Sequence, residues 1–364
     1  MKVVVILSAM LACVECLRCL NSNGQNVDWF SVYKSALIRK YPKFQKGLGF
    51  FYLDEDNSTW TLSEATIADS GTPVANTLTQ IYTSARSSWM YLLYNDEPPS
   101  GTSQSLKGHT KGVVAFDKTS GFWLVHSVPN FPPPTKGSYF WNYKGSKYGQ
   151  IFLCITFPYS QLGQIAYQLF MNRPHVYDSN IPYQIAADYP LLQQIVMGKR
   201  PTSPPWYNVT QLTSLNGQNF LSFAKADEFD KDLYDSLVAP KLQTSLKVET
   251  WLNGQGTKLP SDCTSIYKVR NIRDVALSAQ ANFNETKDHS KWAISDEESY
   301  TIQFISEKFQ VQHHHIQSSP WVCVADINRM ESQFKRGGGA LCLQHQGVWT
   351  SFNNAIAKCD SCQP

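Results

Sequence analysis

The tightest constraint on this fold is a pattern that occurs twice. His109-Thr110-Lys111 and His289-Ser290-Lys291 each set a histidine two residues before a lysine, 180 residues apart. On an extended strand, residues i and i+2 share a face, so each imidazole points the same way as its ammonium. The first motif runs into Val113-Val114-Ala115-Phe116-Asp117, a Lys-Thr-Ser-Gly turn, and then Phe122 to Asn130. The second leads to the β-rich run from Trp321 to Asn328. Trp123 to Asn130 and Trp321 to Asn328 are both seven residues apart, which aligns two copies of one unit: His-x-Lys, strand, Trp-led strand, Asn.

A 364-residue chain has room for two ordinary domains or for one globule of two similar halves. The Pro-rich stretch 198–206 is the natural link, giving halves at 17–197 and 207–364, one motif in each. Aromatic and β-branched runs predict strands over 47–53, 89–94, 149–157 and 246–252. Ser160 is expected to cap a helix carrying Leu162, Ile165, Ala166, Leu169 and Phe170 on one face, and 351–358 to form a closing helix. Strands alternating with helices argue for an α/β sandwich, each half a mixed sheet flanked by helices. Asn95-Asp96-Glu97-Pro98-Pro99 reads as a turn exposing two carboxylates.

Formal charge is +3 with 17% charged residues, so a polyanion would have to be held by a local cleft and not by the whole surface. Residues 1–16 read as a secretory signal: Lys2, then an apolar run from Val3 to Val14 too short to span a bilayer. No later run approaches 18 apolar residues, so a soluble protein of the secretory pathway is expected, without a membrane partner. Asn57, Asn208 and Asn284 open N-glycosylation triplets. Signal removal leaves Cys19, Cys154, Cys263, Cys323, Cys342, Cys359 and Cys362, enough for three disulfides with one left over. Cys359-x-x-Cys362 reads as structural, because a zinc site needs two further ligands.

Taken as lining one cleft, the two motifs suit phosphoryl transfer. A neutral imidazole can attack phosphorus while the opposite imidazolium protonates the leaving oxygen, after which the second histidine activates water. Lys111 and Lys291, with Asn130 and Asn328, would donate to the non-bridging oxygens. No metal or other cofactor is called for. His126 follows the first strand pair and is either a site residue or a core histidine; His175 reads as structural. One histidine must be charged and one neutral, which sets an acidic optimum. The second half carries an extra segment, 295–319, with Asp296-Glu297-Glu298 and His313-His314-His315; adjacent histidines do not converge easily on one ion, so a solvated hairpin tip is expected there.

Val27-Asp28-Trp29-Phe30, Leu93-Tyr94-Asn95-Asp96, Gly108-His109-Thr110-Lys111-Gly112, His126-Ser127-Val128-Pro129-Asn130-Phe131-Pro132, Ser222-Phe223-Ala224-Lys225, Asp288-His289-Ser290-Lys291-Trp292 and Gly337-Gly338-Gly339 together resemble the deoxyribonuclease II family, from Cys19 to about Phe352. That family is similar in fold to the phospholipase D superfamily, a pseudo-dimer with paired His-x-Lys motifs. The resemblance implies a metal-independent acid endonuclease acting on double-stranded DNA, leaving 3′-phosphate and 5′-hydroxyl ends, lysosomal or secreted. It makes His109 and His289 the catalytic pair, with Lys111, Lys291 and His126. His109 is taken as nucleophile and His289 as acid, or the reverse.

The superfamily's Asp seven residues after the His is met by Asp296, while Asp117 falls one residue late. The family pattern implies Cys19–Cys154 and Cys263–Cys342. With Ala293 where a cysteine often stands, Cys323 is expected to take Cys359 or Cys362. A phosphodiesterase on another phosphate ester such as a lipid, and a secreted DNA-binding or toxic protein without turnover, are the competing readings. Monomer and homodimer both stay open.

Overall fold

The structure, a computed structural model, describes residues 16–83, 88–254, 256–296, 304–305, 308–309 and 319–362. The expected signal, apart from its last residue Cys16, and the His313-His314-His315 triplet lie outside the described residues, as does most of 295–319. No helix among the described residues is long and apolar enough to cross a membrane.

A short ribbon opens the described chain, β1 (Cys19–Leu20) with β2 (Asn26–Val27). The first large sheet holds β3 (Trp29–Lys34), β4 (Phe50–Asp54), β5 (Thr61–Leu62), β6 (Met90–Asn95), β7 (Lys111–Phe116), β8 (Ser120–His126), β9 (Gln150–Pro158) and β10 (Val176–Asn180), in the order β10-β6-β7-β8-β9-β3-β4-β5. The second holds β11 (Tyr207–Thr213), β12 (Asn219–Lys225), β13 (Leu246–Glu249), β14 (Val269–Ala276), β15 (Asn282–Asn284) and β16 (Trp292–Ser295). After a separate pair, β17 (Phe304–Ile305) with β18 (Lys308–Phe309), it continues through β19 (Trp321–Ala325), β20 (Gly338–Gln344) and β21 (Ile356–Cys359). Its order is β11-β12-β20-β19-β16-β13-β14-β15, with β21 also on β14.

Five strands recur in the same order in the two sheets: β3-β9-β8-β7-β6 and β12-β20-β19-β16-β13, all antiparallel. Each His-x-Lys motif leads into the corresponding strand, β7 or β16. The copies align one residue away from the Trp-to-Trp match. Val114 pairs with Trp123 while Ile294 pairs with Val322, so Val322, not Trp321, occupies the place of Trp123. A one-residue shift changes the face of the sheet. Trp123 accordingly joins the core between the sheets, whereas Trp321 packs at the margin of the outer core of the second sheet.

The central strands are buried on both faces, which is why they read as continuous apolar runs. In β7, Val114 and Phe116 enter the shared core while Val113 and Ala115 face outward into a second. The shared core joins Trp29, Tyr33 and Val125 to Trp292, Val324 and Leu341, so neither sheet buries this face without the other.

The helices are short: α1 (Pro73–Thr79), α2 (Leu162–Asn172), α3 (Tyr183–Asp188), α4 (Leu191–Val196), α5 (Ala239–Leu242) and α6 (Gln346–Asn354). The fold is therefore rich in sheet, with mainly antiparallel pairing and a parallel pair β13/β14, and not a regular strand–helix alternation. Ser160 lies in a 3₁₀ turn and Gln161 is the N-cap position of α2. The closing helix starts earlier than expected, at Gln346, and ends at Asn354, so the first half of 351–358 is helical while Ile356–Cys359 forms β21. α2 follows β9 and α6 follows β20, the matching strand, and both bury apolar faces in the shared core.

Two of the three described disulfides differ from expectation. Cys19–Cys154 forms, but Cys263 pairs with Cys362 and Cys323 with Cys342, leaving Cys359 as a free thiol. The register explains this. Ala293, Cys323 and Cys342 lie side by side across β16, β19 and β20. With alanine at 293, the cysteine facing Cys323 is Cys342, and Cys263 is left to the C-terminal segment.

Candidate active site

Each histidine of the two motifs is anchored by the opposite sheet. His109 Nδ1 lies 2.5 Å from the carbonyl of Asp326, the residue after β19. His289 Nδ1 lies 2.8 Å from the carbonyl of Ser127, the residue after β8. Since β8 and β19 are equivalent strands, the two anchors are mirror arrangements. A carbonyl only accepts, so both Nδ1 atoms carry the proton and both Nε2 atoms keep a lone pair while the rings are neutral.

Close backbone approach makes these anchors possible. His109 N donates to the Gly337 carbonyl at 2.8 Å and His289 N to the Gly149 carbonyl at 2.9 Å. A Cβ on Gly108 or Gly337 would sit 2.0 or 2.3 Å from the Asn172 carbonyl oxygen, so both glycines are needed where the segments meet. On the other side, the Asp288 carboxylate accepts from the Tyr33 hydroxyl, which itself accepts from Trp292 Nε1 at 3.0 Å. That polar knot fixes the second motif to β3 of the first sheet.

The two lysines differ. Lys111 Nζ lies 2.5 Å from Asp96 Oδ1, whose other oxygen takes Arg336 at 3.0 Å. Lys291 Nζ donates to the carbonyl of His289 at 2.7 Å. Burial, then the charge of Lys111, pushes Lys291 down to about 7. Burial would raise the Asp96 carboxyl, but Lys111, His109 and Arg336 outweigh it and hold Asp96 below the usual carboxylate range. Asp96 is therefore not an exposed turn carboxylate; it is 1% exposed and neutralises two cations.

Burial is also the first cause that holds both histidines well below the ordinary imidazole range, with lysine charge second. The pairs act on one another: Lys291 on His109, and Lys111 and His109 on His289. The His289 ring also meets the edge of Trp251, centroids 5.2 Å apart.

His126 sits on β8 between Phe131 and Phe152, with centroids at 5.4 and 5.7 Å. Its Nδ1 accepts from Val128 N at 3.2 Å, and its Nε2 is buried with no hydrogen-bond partner among the described residues. Burial, then Lys111, pushes it down to about 3. Asn130 has positive φ, and its amide donates to the carbonyls of Glu97 and Pro98 at 3.2 and 3.0 Å. Asn328 is 4% exposed, with Oδ1 unpartnered among the described residues. His175 is half-buried and uses its carbonyl to take Asn95 N, a structural place.

Asp117 and Asp296 stand at the far ends of β7 and β16 from the histidines. Asp117 accepts from Leu17, Thr119 and Ser120 backbone N–H groups, and Asp296 pairs with Arg270 and Lys247. Six residues of strand at about 3.3 Å each put Asp117 about 20 Å from Lys111. Asp326 escaped the sequence reading. Its carboxylate takes Gly339 N at 2.7 Å and burial pushes it up to about 7, next to the His109 anchor. Asn57 and Asn284 are exposed, and Asn208 is half-buried on the edge strand β11. Among the described residues, no three His, Cys, Asp or Glu side chains are grouped to hold a metal ion.

Fold and site define a protein with two large sheets, each carrying one buried histidine–lysine pair whose charges act on the other's. The model of the family Deoxyribonuclease II matches residues 18–362. Plancitoxin-1 of Acanthaster planci is 38% identical over 98% of this chain and 96% of its own length. Deoxyribonuclease-2 of Caenorhabditis elegans is 37% identical, covering 94% and 93%, and deoxyribonuclease-2-alpha of Sus scrofa 36%, covering 96% and 92%. The chain belongs to the deoxyribonuclease II family, which places it among the deoxyribonucleases.

Proposed function

We propose that this chain is an acid endonuclease that hydrolyses double-stranded DNA through a phosphohistidine, without a metal. The observation that carries the reading is the reciprocal anchoring of His109 and His289, which leaves two Nε2 atoms available in a centre rich in buried cation. His109 Nε2 attacks phosphorus, and the P–O5′ bond breaks as His289, protonated at Nε2, delivers its proton to the leaving 5′ oxygen. Water then attacks the phosphohistidine, gives a proton back to His289, and releases a 3′-phosphate with neutral His109. The roles can be exchanged by the near-symmetry of the site.

Lys111 and Lys291 donate to the non-bridging oxygens as charge builds, with the Asn328 amide beside them. Asn130 shapes the turn carrying Asp96 and Glu97, since its amide is already committed to that turn. His126 supports Lys111 from the neighbouring strand as a neutral group. We read the recurring five-strand order as a phospholipase D-like pseudo-dimer, with halves 17–197 and 207–364. The described disulfides and the exposed Asn57 and Asn284 support a place in the secretory pathway, lysosomal or secreted.

The test is digestion of double-stranded DNA at about pH 5 in excess chelator, where ordinary histidines are mostly charged. Wild-type cleavage survives the chelator, and His109→Ala and His289→Ala each lose about 10³-fold or more, as expected for a nucleophile and its acid partner. Cleavage that needs added magnesium, or full activity in either variant, would overturn the reading.

A further inference from the structure

The segment 136–148, Lys-Gly-Ser-Tyr-Phe-Trp-Asn-Tyr-Lys-Gly-Ser-Lys-Tyr, contains three lysines, five aromatic residues and no acid. Lys136, Lys144 and Lys147 are exposed, and Phe140 and Tyr143 are 58% and 67% exposed. The loop is tied to the active centre in two places. Asn142 donates to the carbonyl of Asn130, whose own amide holds the Glu97 turn. At the other end, Gly149 accepts from His289 N.

A line of touching side chains then runs from the catalytic ring outward. His289 meets Trp251 at 5.2 Å, Trp251 meets Tyr148 at 4.5 Å, and Lys147 Nζ lies 4.9 Å over the Tyr148 ring. Separately, Phe140 and Tyr143 line an open groove of about 770 Å³ together with Asp69, Gln80 and Tyr82.

We propose that Trp251 and the loop 136–148 form a track for an unpaired stretch of the DNA strand that leaves the scissile phosphate on the His289 side, the duplex opening locally beside the cut. Flat aromatic faces stack unpaired bases, and the lysines between them take the phosphates, a combination that suits single-stranded nucleic acid of any sequence. The exposed lysines of the loop, which complement phosphate, and the line of contacts from His289 through Trp251 to Lys147 select this occupant. The proposal rests on the reading of His289 as a site residue, so its test measures binding and not turnover.

In a His109→Ala background at about pH 5, fluorescence anisotropy with single-stranded oligonucleotides of increasing length reads the track. Phe140→Ala/Tyr143→Ala weakens binding of long oligonucleotides by about 5- to 150-fold for each base that can no longer stack, the equivalent of about 1–3 kcal/mol, while the shortest bind as before. Lys136→Gln/Lys144→Gln/Lys147→Gln, all surface changes that leave the fold intact, flattens the salt dependence by about 0.7 for each phosphate left without its lysine. Unchanged affinity and salt slope in both variants would overturn the track. So would an equal loss for the shortest and longest oligonucleotides, which would mean a general effect on the site. Failure of the cleavage reading appears separately, in the histidine variants.

Discussion

Asp96→Asn is the perturbation that most directly tests the electrostatic design of the site. Asp96 sits between Lys111 at 2.5 Å and Arg336 at 3.0 Å and is 1% exposed. Asparagine keeps the size and one acceptor but leaves two buried cations facing a neutral amide. Removing one partner of a buried ion pair costs about 3–5 kcal/mol. With about 2.1 cal/mol/K of unfolding entropy per residue, a 364-residue chain then loses about 4–7 °C in melting temperature.

The pH dependence of that loss has a definite sign. The folded-state carboxyl is held below its unfolded value by Lys111, His109 and Arg336 against the opposing effect of burial. Its stabilisation is therefore fully present above the unfolded value of about 3.9 and lost only as pH falls through the folded value. Thermal unfolding should show the same deficit at about pH 5 and about pH 7, shrinking only in stronger acid. Lys111→Met in the same background should cost less than the sum of the single changes, because each alone strands the other's charge. A deficit under about 1 °C at both pH values, with additive single changes, would refute the reasoning.

Other outcomes are equally specific. Activity should decline on the alkaline side: one histidine must be charged in the complex while burial holds both below the ordinary range, so kcat/KM falls about tenfold per pH unit above about 6.5; a rate profile flat to about pH 8 would contradict it. The same lowered values mean that His109 and His289 withdraw stability as pH falls below about 6.5. Asp326→Asn should act in the opposite direction. Burial pushes Asp326 up to about 7, so its charged form costs stability above that pH and the cost fades as pH falls toward the unfolded value; the variant's gain in melting temperature should be larger at about pH 8 than at about pH 4. Non-reducing peptide mapping should recover Cys263–Cys362 and Cys323–Cys342. Burial pushes the Cys359 thiol up to about 11, so alkylation of the native protein at about pH 8 should be slow and become fast after unfolding.

Much of the site was legible because its carriers are local. A histidine and a lysine two apart on a strand declare a shared face, and the runs that became β4, β6, β7 and β9 alternate or stay apolar within five to nine residues. The chain by itself thus determined the two motifs and the strands that hold them. Only the tertiary structure decided what those side chains meet. Asp96 looked like a turn carboxylate because Arg336, its second cation, lies 240 positions away. The histidine anchors come from carbonyls 217 and 162 positions distant, and every residue has a carbonyl, so no residue type announces them. The disulfides followed the same logic: cysteines can be counted in sequence, but pairing depends on strand register, which placed Cys323 opposite Cys342. Periodicity is a property of neighbouring residues, whereas the partner of a buried charge or thiol is chosen by how the sheets come together.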